Sequence, residues 1–293
     1  MRPIIPLVFA FLSFQQMAPA QILENFADGN FTQNPVWQGN ADHFVVNPAG
    51  ELQLNAPAAG NSSLFTEGNI PDSAVWQMYF RLEFAPSASN RLRIYLQADA
   101  PNFPTANGYF LEIGENGTAD ALRFFRQDAG AVVLLGTGTA ASLANDPSLA
   151  RLQIVRKSSG LWKIAADFSG NDNFLPQIEV SDGNWAGGKN HYFGFDCLFS
   201  ASRKDKFFFD DIRIQPDLPD QVPPKLVSAE AVDSQRLVVV FDEKLDPLDA
   251  SDPAHFSVDH GVGQPIFAEL SPGSAKTVNL TFSKNFLDGQ IHV

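Results

Sequence analysis

Two adjacent carboxylates, Asp210 and Asp211, sit inside the run DKFFFDDIRI at Asp205–Ile214. Alternation along a strand puts Phe208, Asp210, Ile212 and Ile214 on one face, with Phe207, Phe209, Asp211 and Arg213 on the other. The pair is open to two readings: chemistry, or plain solvation and pairing with Arg213 and Lys206. A second pair of acids, Glu112 and Glu115, is three apart and is expected to face opposite sides of its strand. Glycoside hydrolysis needs two carboxyls lining one groove, about 5 Å apart for retention and further for inversion. That pair does not supply them, although acids on separate strands remain free to converge. His43, His191, His255, His260 and His292 show no metal-ligand spacing such as H-E-x-x-H. Ser62-Ser63 and Ser158-Ser159 lack a nucleophile elbow. No residue is therefore assigned a catalytic role. Sugar recognition suits the chain better, because aromatic rings stack on pyranoses while nearby polar groups bond the hydroxyls. Tyr95, Phe103, Trp185 and Tyr192 are expected in loops or facing solvent, and Arg91 and Arg93 share the Tyr95 face. Tyr95, Arg93 and Trp185 are the candidate ligand-binding residues. The competing reading is that these rings are core, since the chain holds 26 Phe. Asp242, Glu243, Asp246 and Asp249 form an acidic loop that reads as solvated.

The elements that must carry these residues are short strands. In Ala74–Phe84, Trp76, Met78, Phe80, Leu82 and Phe84 alternate with Val75, Gln77, Tyr79, Arg81 and Glu83, a dry face against a mostly wet one. In Asn90–Asp99, Leu92, Ile94 and Leu96 alternate with Arg91, Arg93, Tyr95 and Gln97. Tyr109–Glu115 and Ala121–Gln127 read as a hairpin joined at Asn116-Gly117. Helical periodicity is never sustained, and Ala140–Leu149 is expected to make one short turn at most. About a dozen such strands, separated by Gly, Ser, Asn and Asp, predict an all-β sandwich or barrel. Pro216–Pro224, PDLPDQVPP, reads as a stiff linker. Strands at 226–231, 236–241, 256–258, 266–270 and 277–282 then start a second β module over residues 225–293. It is expected to be incomplete at its C-terminal end, because a sandwich takes about 100 residues.

Composition bounds the compartment. Arg2, the apolar run Ile4–Phe14 and Ala18-Pro19-Ala20 read as a secretory signal over residues 1–20, cleaved before Gln21. The run is too short to span a bilayer, and no later segment approaches the roughly 20 apolar residues required. No integral membrane segment is expected in the mature chain. Losing Arg2 takes the formal charge from −13 to −14, which argues against nucleic acid and anionic lipid as partners. Cys197 is the one cysteine, so an internal disulfide is excluded and the thiol reads as a small buried hydrophobe. An exported protein of this size without disulfides suits a bacterium. The sequons at Asn30, Asn61, Asn116 and Asn279 then say little about glycosylation.

Residues 22–214 resemble concanavalin-A-like (laminin-G-like) jelly rolls, as found at the front of Bacteroidetes-type secreted multidomain surface proteins that often carry lamin-tail domains. The resemblance rests on Phe26–Phe31 with Asn34–Trp37, on Asn107–Glu115, on Asp120–Leu122 with Phe125–Asp128, and on Lys204–Ile214. Pro223–Val258, above all Val240–Asp246, is similar to bacterial surface-layer Ig-like modules. The implied fold class is all-β, a concanavalin-A-like jelly-roll sandwich followed by a truncated Ig-like β-sandwich. In such jelly rolls the first and last strands lie side by side, which would bring Asp28, Gly29 and Asn30 near Asp210. The resemblance thus implies a possible structural Ca2+ on Asp28, Asn30 and Asp210, an ion that wants six to eight oxygens. Glucanases of this fold carry three acids as Glu-x-Asp-x-x-Glu or a close variant, and no such run occurs here. The expectation is an exported, non-catalytic recognition or adhesion head, at the bacterial cell surface or secreted, on an Ig-like spacer. Its partner would be a polysaccharide or surface glycan, and anchor domains are expected downstream. A carbohydrate-active enzyme or its accessory binding module, and a purely structural module without ligand, are the alternatives.

Overall fold

The computed structural model describes residues 22–117, 119–170, 173–217, 224–245, 250–258 and 262–286. The signal segment, most of the proline-rich linker, and Asp246 and Asp249 lie outside these residues. The chain divides into two compact units, Met1–Leu218 and Pro219–Val293.

The first unit is a jelly-roll sandwich of two antiparallel sheets. One sheet runs β13 (Leu175–Ser181), β12 (Leu161–Asp167), β11 (Ser148–Arg156), β6 (Ala74–Leu82), β15 (Phe207–Pro216), β4 (Leu52–Leu54) and β3 (Phe44–Val46), with β1 (Ile22–Glu24) also paired to β15. The other has the order β10 (Ala131–Thr137), β9 (Arg123–Asp128), β8 (Gly108–Ile113), β7 (Arg91–Ala98), β14 (Gly188–Phe199), β5 (Gly60–Ile70) and β2 (Trp37–Gly39). Period-two patterning makes strands such as β6 and β11 half dry, and the dry halves meet between the sheets. Phe195 of β14 stacks on Phe209 of β15 at 3.8 Å, tying the two layers at their centre. Trp76 stacks on Trp162 at 5.6 Å, and Tyr109 and Phe124 close around the same ring from the opposite sheet. Cys197 lies fully inside this core, where burial pushes its thiol well above the ordinary range. The segment 140–149 makes turns without a helix, and Ser148 already opens β11.

The faces of β15 differ from strict alternation. Phe207 and Phe209 face the core, as do Ile212 and Ile214, while Phe208 lies outside beneath the Arg81 guanidinium at 3.9 Å. A β-bulge is the reason. Asp210 pairs with Tyr79 and Arg213 with Gln77, so Asp211 and Ile212 together oppose Met78. Asp211 takes φ +52, and this extra residue switches which parity points inward.

The second unit contributes one four-stranded antiparallel sheet among the described residues. Its order is β16 (Leu226–Ala231), β17 (Arg236–Phe241), β19 (Thr277–Thr281) and β18 (Phe267–Leu270). Leu237, Val239, Val278 and Leu280 form its dry face. The strand expected at 256–258 is a single bridge from Val258 to Gly263.

Candidate functional site

The outer face of the seven-stranded sheet carries a straight polar row. Register aligns Ser63 of β5 with Asp196 of β14, Asp196 with Arg93 of β7, Arg93 with Glu112 of β8, and Glu112 with Arg123 of β9. Adjacent strands lie about 4.8 Å apart, so the five side chains form a ladder across the sheet. Ser63 Oγ donates to Asp196 Oδ1 at 2.7 Å, and Arg93 Nε donates to Glu112 Oε2 at 2.7 Å. Arg123 Nη2 donates to the other Glu112 oxygen, and Arg91 Nε stands 4.0 Å from Glu112 Oε2. Burial alone would lower the Arg93 value, but the Glu112 carboxylate outweighs it and raises it.

Glu115 belongs to the same cluster, which corrects the expectation that it faces away from Glu112. Arg123 Nη1 lies 3.6 Å from Glu115 Oε2 and so bridges both acids. The strand ends at Ile113, and Gly114 at φ +101 swings the chain back toward the row. A Cβ at Gly114 would stand 2.8 Å from Ser87 O, so the turn needs glycine on both counts.

Beside the polar row runs an aromatic one, with Phe65, Gly194, Tyr95, Phe110 and Phe125 in register. It is not open to solvent. Phe103, on the loop between β7 and β8, stacks on Tyr95 at 4.0 Å and meets Phe65 edge-on at 5.9 Å. Gln127 Nε2 fixes that loop by donating to Phe103 O at 2.6 Å and Ala106 O at 2.8 Å. Tyr95 is consequently 1% exposed, and burial pushes its hydroxyl up to about 12. The expectation of a solvent-facing Tyr95 platform is corrected: the tyrosine does lie on the outer face, but its own loop covers it.

No family model matches the chain, and no curated protein matches it. Solved structures do resemble it. The VIP36 exoplasmic/lumenal domain, solved with Ca2+ and Man3GlcNAc, is 11% identical with TM-score 0.49, covering 64% of this chain and 86% of that one. Carbohydrate binding module CBM66 from Bacillus subtilis is 13% identical with TM-score 0.44, covering 61% and 94%. A legume lectin-like domain from Entamoeba histolytica is 13% identical with TM-score 0.45, covering 61% and 88%.

Trp185 stands apart from Tyr95 and Arg93. It lies on the loop after β13, where Asp182 gathers a network at one end of the sandwich. Asp182 accepts from Tyr109 Oη at 2.7 Å and from Arg126 Nη1 at 2.5 Å, and its backbone oxygen accepts from Trp162 Nε1. Trp185 Nε1 donates to Asp128 Oδ1 at 2.9 Å, and Trp185 O accepts from Arg156 Nη2 at 2.6 Å. Burial pushes Asp182 up, yet the Tyr109 hydroxyl, the Asn184 N–H and Arg126 together bring it below the usual carboxylate range. With its indole N–H and carbonyl both spent, Trp185 reads here as a cap over the core's end.

The calcium candidates are distributed differently again. β1 does lie beside β15, pairing Ile22 with Ile214 and Glu24 with Ile212. Asp28 Oδ1, however, accepts from its neighbour Asn30 N, and Asn30 Oδ1 accepts from Thr32 N and Oγ1. Asp210 Oδ1 accepts from Asp211 N at 2.7 Å, and Asp211 pairs with Arg151 at 2.9 Å. Among the described residues no group of three or more His, Cys, Asp or Glu is arranged to hold a metal. Asp28 and Asn30 are thus bonded within their own turn and Asp210 within the bulge.

Proposed function

We propose that this chain is an exported, non-catalytic recognition protein whose jelly-roll head binds a polysaccharide or surface glycan on the outer face of the seven-stranded sheet. The second unit is an Ig-like spacer of the surface-layer kind, and the whole is a Bacteroidetes-type secreted surface protein. The signal-like residues 1–20 and the single buried cysteine support export. One observation carries the binding site: the ladder Ser63–Asp196–Arg93–Glu112–Arg123 lies in register across five strands on the face turned away from the core between the sheets. Strands hold these groups rigidly, so a ligand does not have to order them on binding.

The same geometry favours binding over turnover. Glu112 is engaged by two guanidiniums, Asp196 by Ser63, and Glu115 by Arg123 and the Asp120 N–H. Glycoside hydrolysis needs one carboxyl free to give a proton and a second free to attack or activate water. Pull-down on insoluble polysaccharides, with a reducing-end assay on the same tubes, tests this. Retention on at least one polymer without release of reducing ends is expected. New reducing ends would make the head an enzyme, and failure to be retained on any polymer would reduce it to a structural module.

A further inference from the structure

We propose that the ligand of this face is an anionic polysaccharide, one that presents carboxylates along its length; this rests on the recognition reading above. The row offers its donors to solvent and keeps its acceptors below them. Its acids lie underneath, with the Glu112 side chain 6% exposed and Asp196 6% exposed. Its guanidiniums lie on top, with side-chain exposures of 28% for Arg91, 20% for Arg93 and 22% for Arg123. Each carboxylate accepts from a neighbour in the row, and burial keeps its remaining lone pairs from a ligand.

The donors are in surplus. Arg91 reaches the row only through a 4.0 Å ion contact to Glu112. Arg93 commits Nε to Glu112. Guanidinium is donor-only, with five N–H groups in a planar fork that matches a carboxylate. The Arg93 and Arg123 guanidinium carbons stand over the Phe110 and Phe125 rings, at 4.8 and 5.4 Å from the ring centres, which helps to fix where those forks sit. A neutral sugar brings hydroxyls that want acceptors as well as donors. A uronate adds to its hydroxyls a carboxylate that only accepts, and that is the group a row of guanidinium donors can satisfy. The chain as a whole carries −13, whereas here three guanidiniums match the carboxylates of Glu112, Asp196 and Glu115, so the face is locally neutral with its cations outermost.

Binding of the full chain to polygalacturonate and to its fully methyl-esterified form isolates the charge, because the backbone is the same. Alginate and dextran sulfate test other anions, and dextran and a galactan serve as neutral polymers. The expected result is binding to the free carboxylate form at least tenfold tighter than to the ester, weakening as salt rises from 50 to 500 mM. Arg91→Gln, whose side chain contributes a 4.0 Å ion contact to Glu112, is expected to lose about tenfold in affinity while keeping the wild-type unfolding curve. Binding to sulfate but not to carboxylate, or equal binding to acid and ester, overturns the proposal and leaves glycan recognition standing. Binding confined to neutral polymers does the same. Binding to nothing in the panel overturns both.

Discussion

Phe103→Ala is expected to destabilise the jelly-roll unit by about 3 kcal/mol or more, the range for emptying a buried phenylalanine site. The ring is 1% exposed, although it lies outside the sandwich rather than between the sheets. It roofs a second small core of Tyr95, Ala98, Phe110 and Phe125, with Ala106 beside it. Removing it uncovers Tyr95 and Phe65 and undoes the 4.0 Å stack on Tyr95. It also loosens the loop whose carbonyls satisfy Gln127, itself 1% exposed, so a buried amide loses its partners. Phe103→Leu keeps most of the volume and is expected to cost about 1 kcal/mol. Tryptophan fluorescence during chemical unfolding reads this cleanly, because Trp37, Trp76, Trp162 and Trp185 all belong to the first unit. A loss below about 0.5 kcal/mol for Phe103→Ala would mean the loop does not fold with the sandwich.

Asp210→Asn is expected to stabilise the same unit at pH 7 and to change little at pH 4. Burial at the bulge pushes the Asp210 carboxyl up to about 6; the Asp211 N–H opposes this, Asp211 and Glu51 add to it, and Arg151 opposes it. A folded value above the unfolded one means the folded chain holds the proton more tightly. The penalty for ionisation is therefore absent below about pH 4, grows between pH 4 and 6, and is complete above pH 6. Unscreened, two units would be worth about 3 kcal/mol. Asp210 is only partly buried, so about 1 kcal/mol is the expected gain after solvent screening. Asparagine keeps the oxygen that accepts from Asp211 N at 2.7 Å, so the bulge survives the change. Denaturant midpoints for both proteins at pH 4, 5, 6 and 7 decide it: the curves should diverge as pH rises. Parallel curves would contradict the environment assigned to Asp210.

Much of the scaffold was legible from period-two patterning. Ala74–Leu82 reads as half-buried strand and is one, because a sheet with one dry face imposes that alternation directly. The β1–β15 pairing followed the resemblance to jelly rolls, in which first and last strands are neighbours. The β15 bulge was invisible, since DKFFFDDIRI alternates plausibly in either parity and only pairing with β6 reveals the extra residue. Tyr95 was misjudged for a related reason. Its parity correctly put it beside Arg93, but no local pattern says that the loop carrying Phe103, eight residues on, will fold back over it. The ladder is a property of register across five strands. Arg93, Glu112, Arg123, Asp196 and Ser63 are each an ordinary outward residue in their own strand, up to 133 positions apart along the chain. Glu112 and Glu115 were weighed only against each other, and the turn at Gly114 that lets Arg123 join them has no sequence period.

Arginine side-chain NMR on the full chain, with and without a retained polysaccharide, addresses the sheet face itself. The Nε–Hε resonances of Arg91, Arg93 and Arg123 should shift together on saturation, while those of Arg126 and Arg156, committed to the network at the end of the sandwich, stay in place. Shifts at Arg126 and Arg156 with none along the ladder would move the site to the Trp185 loop and contradict the account.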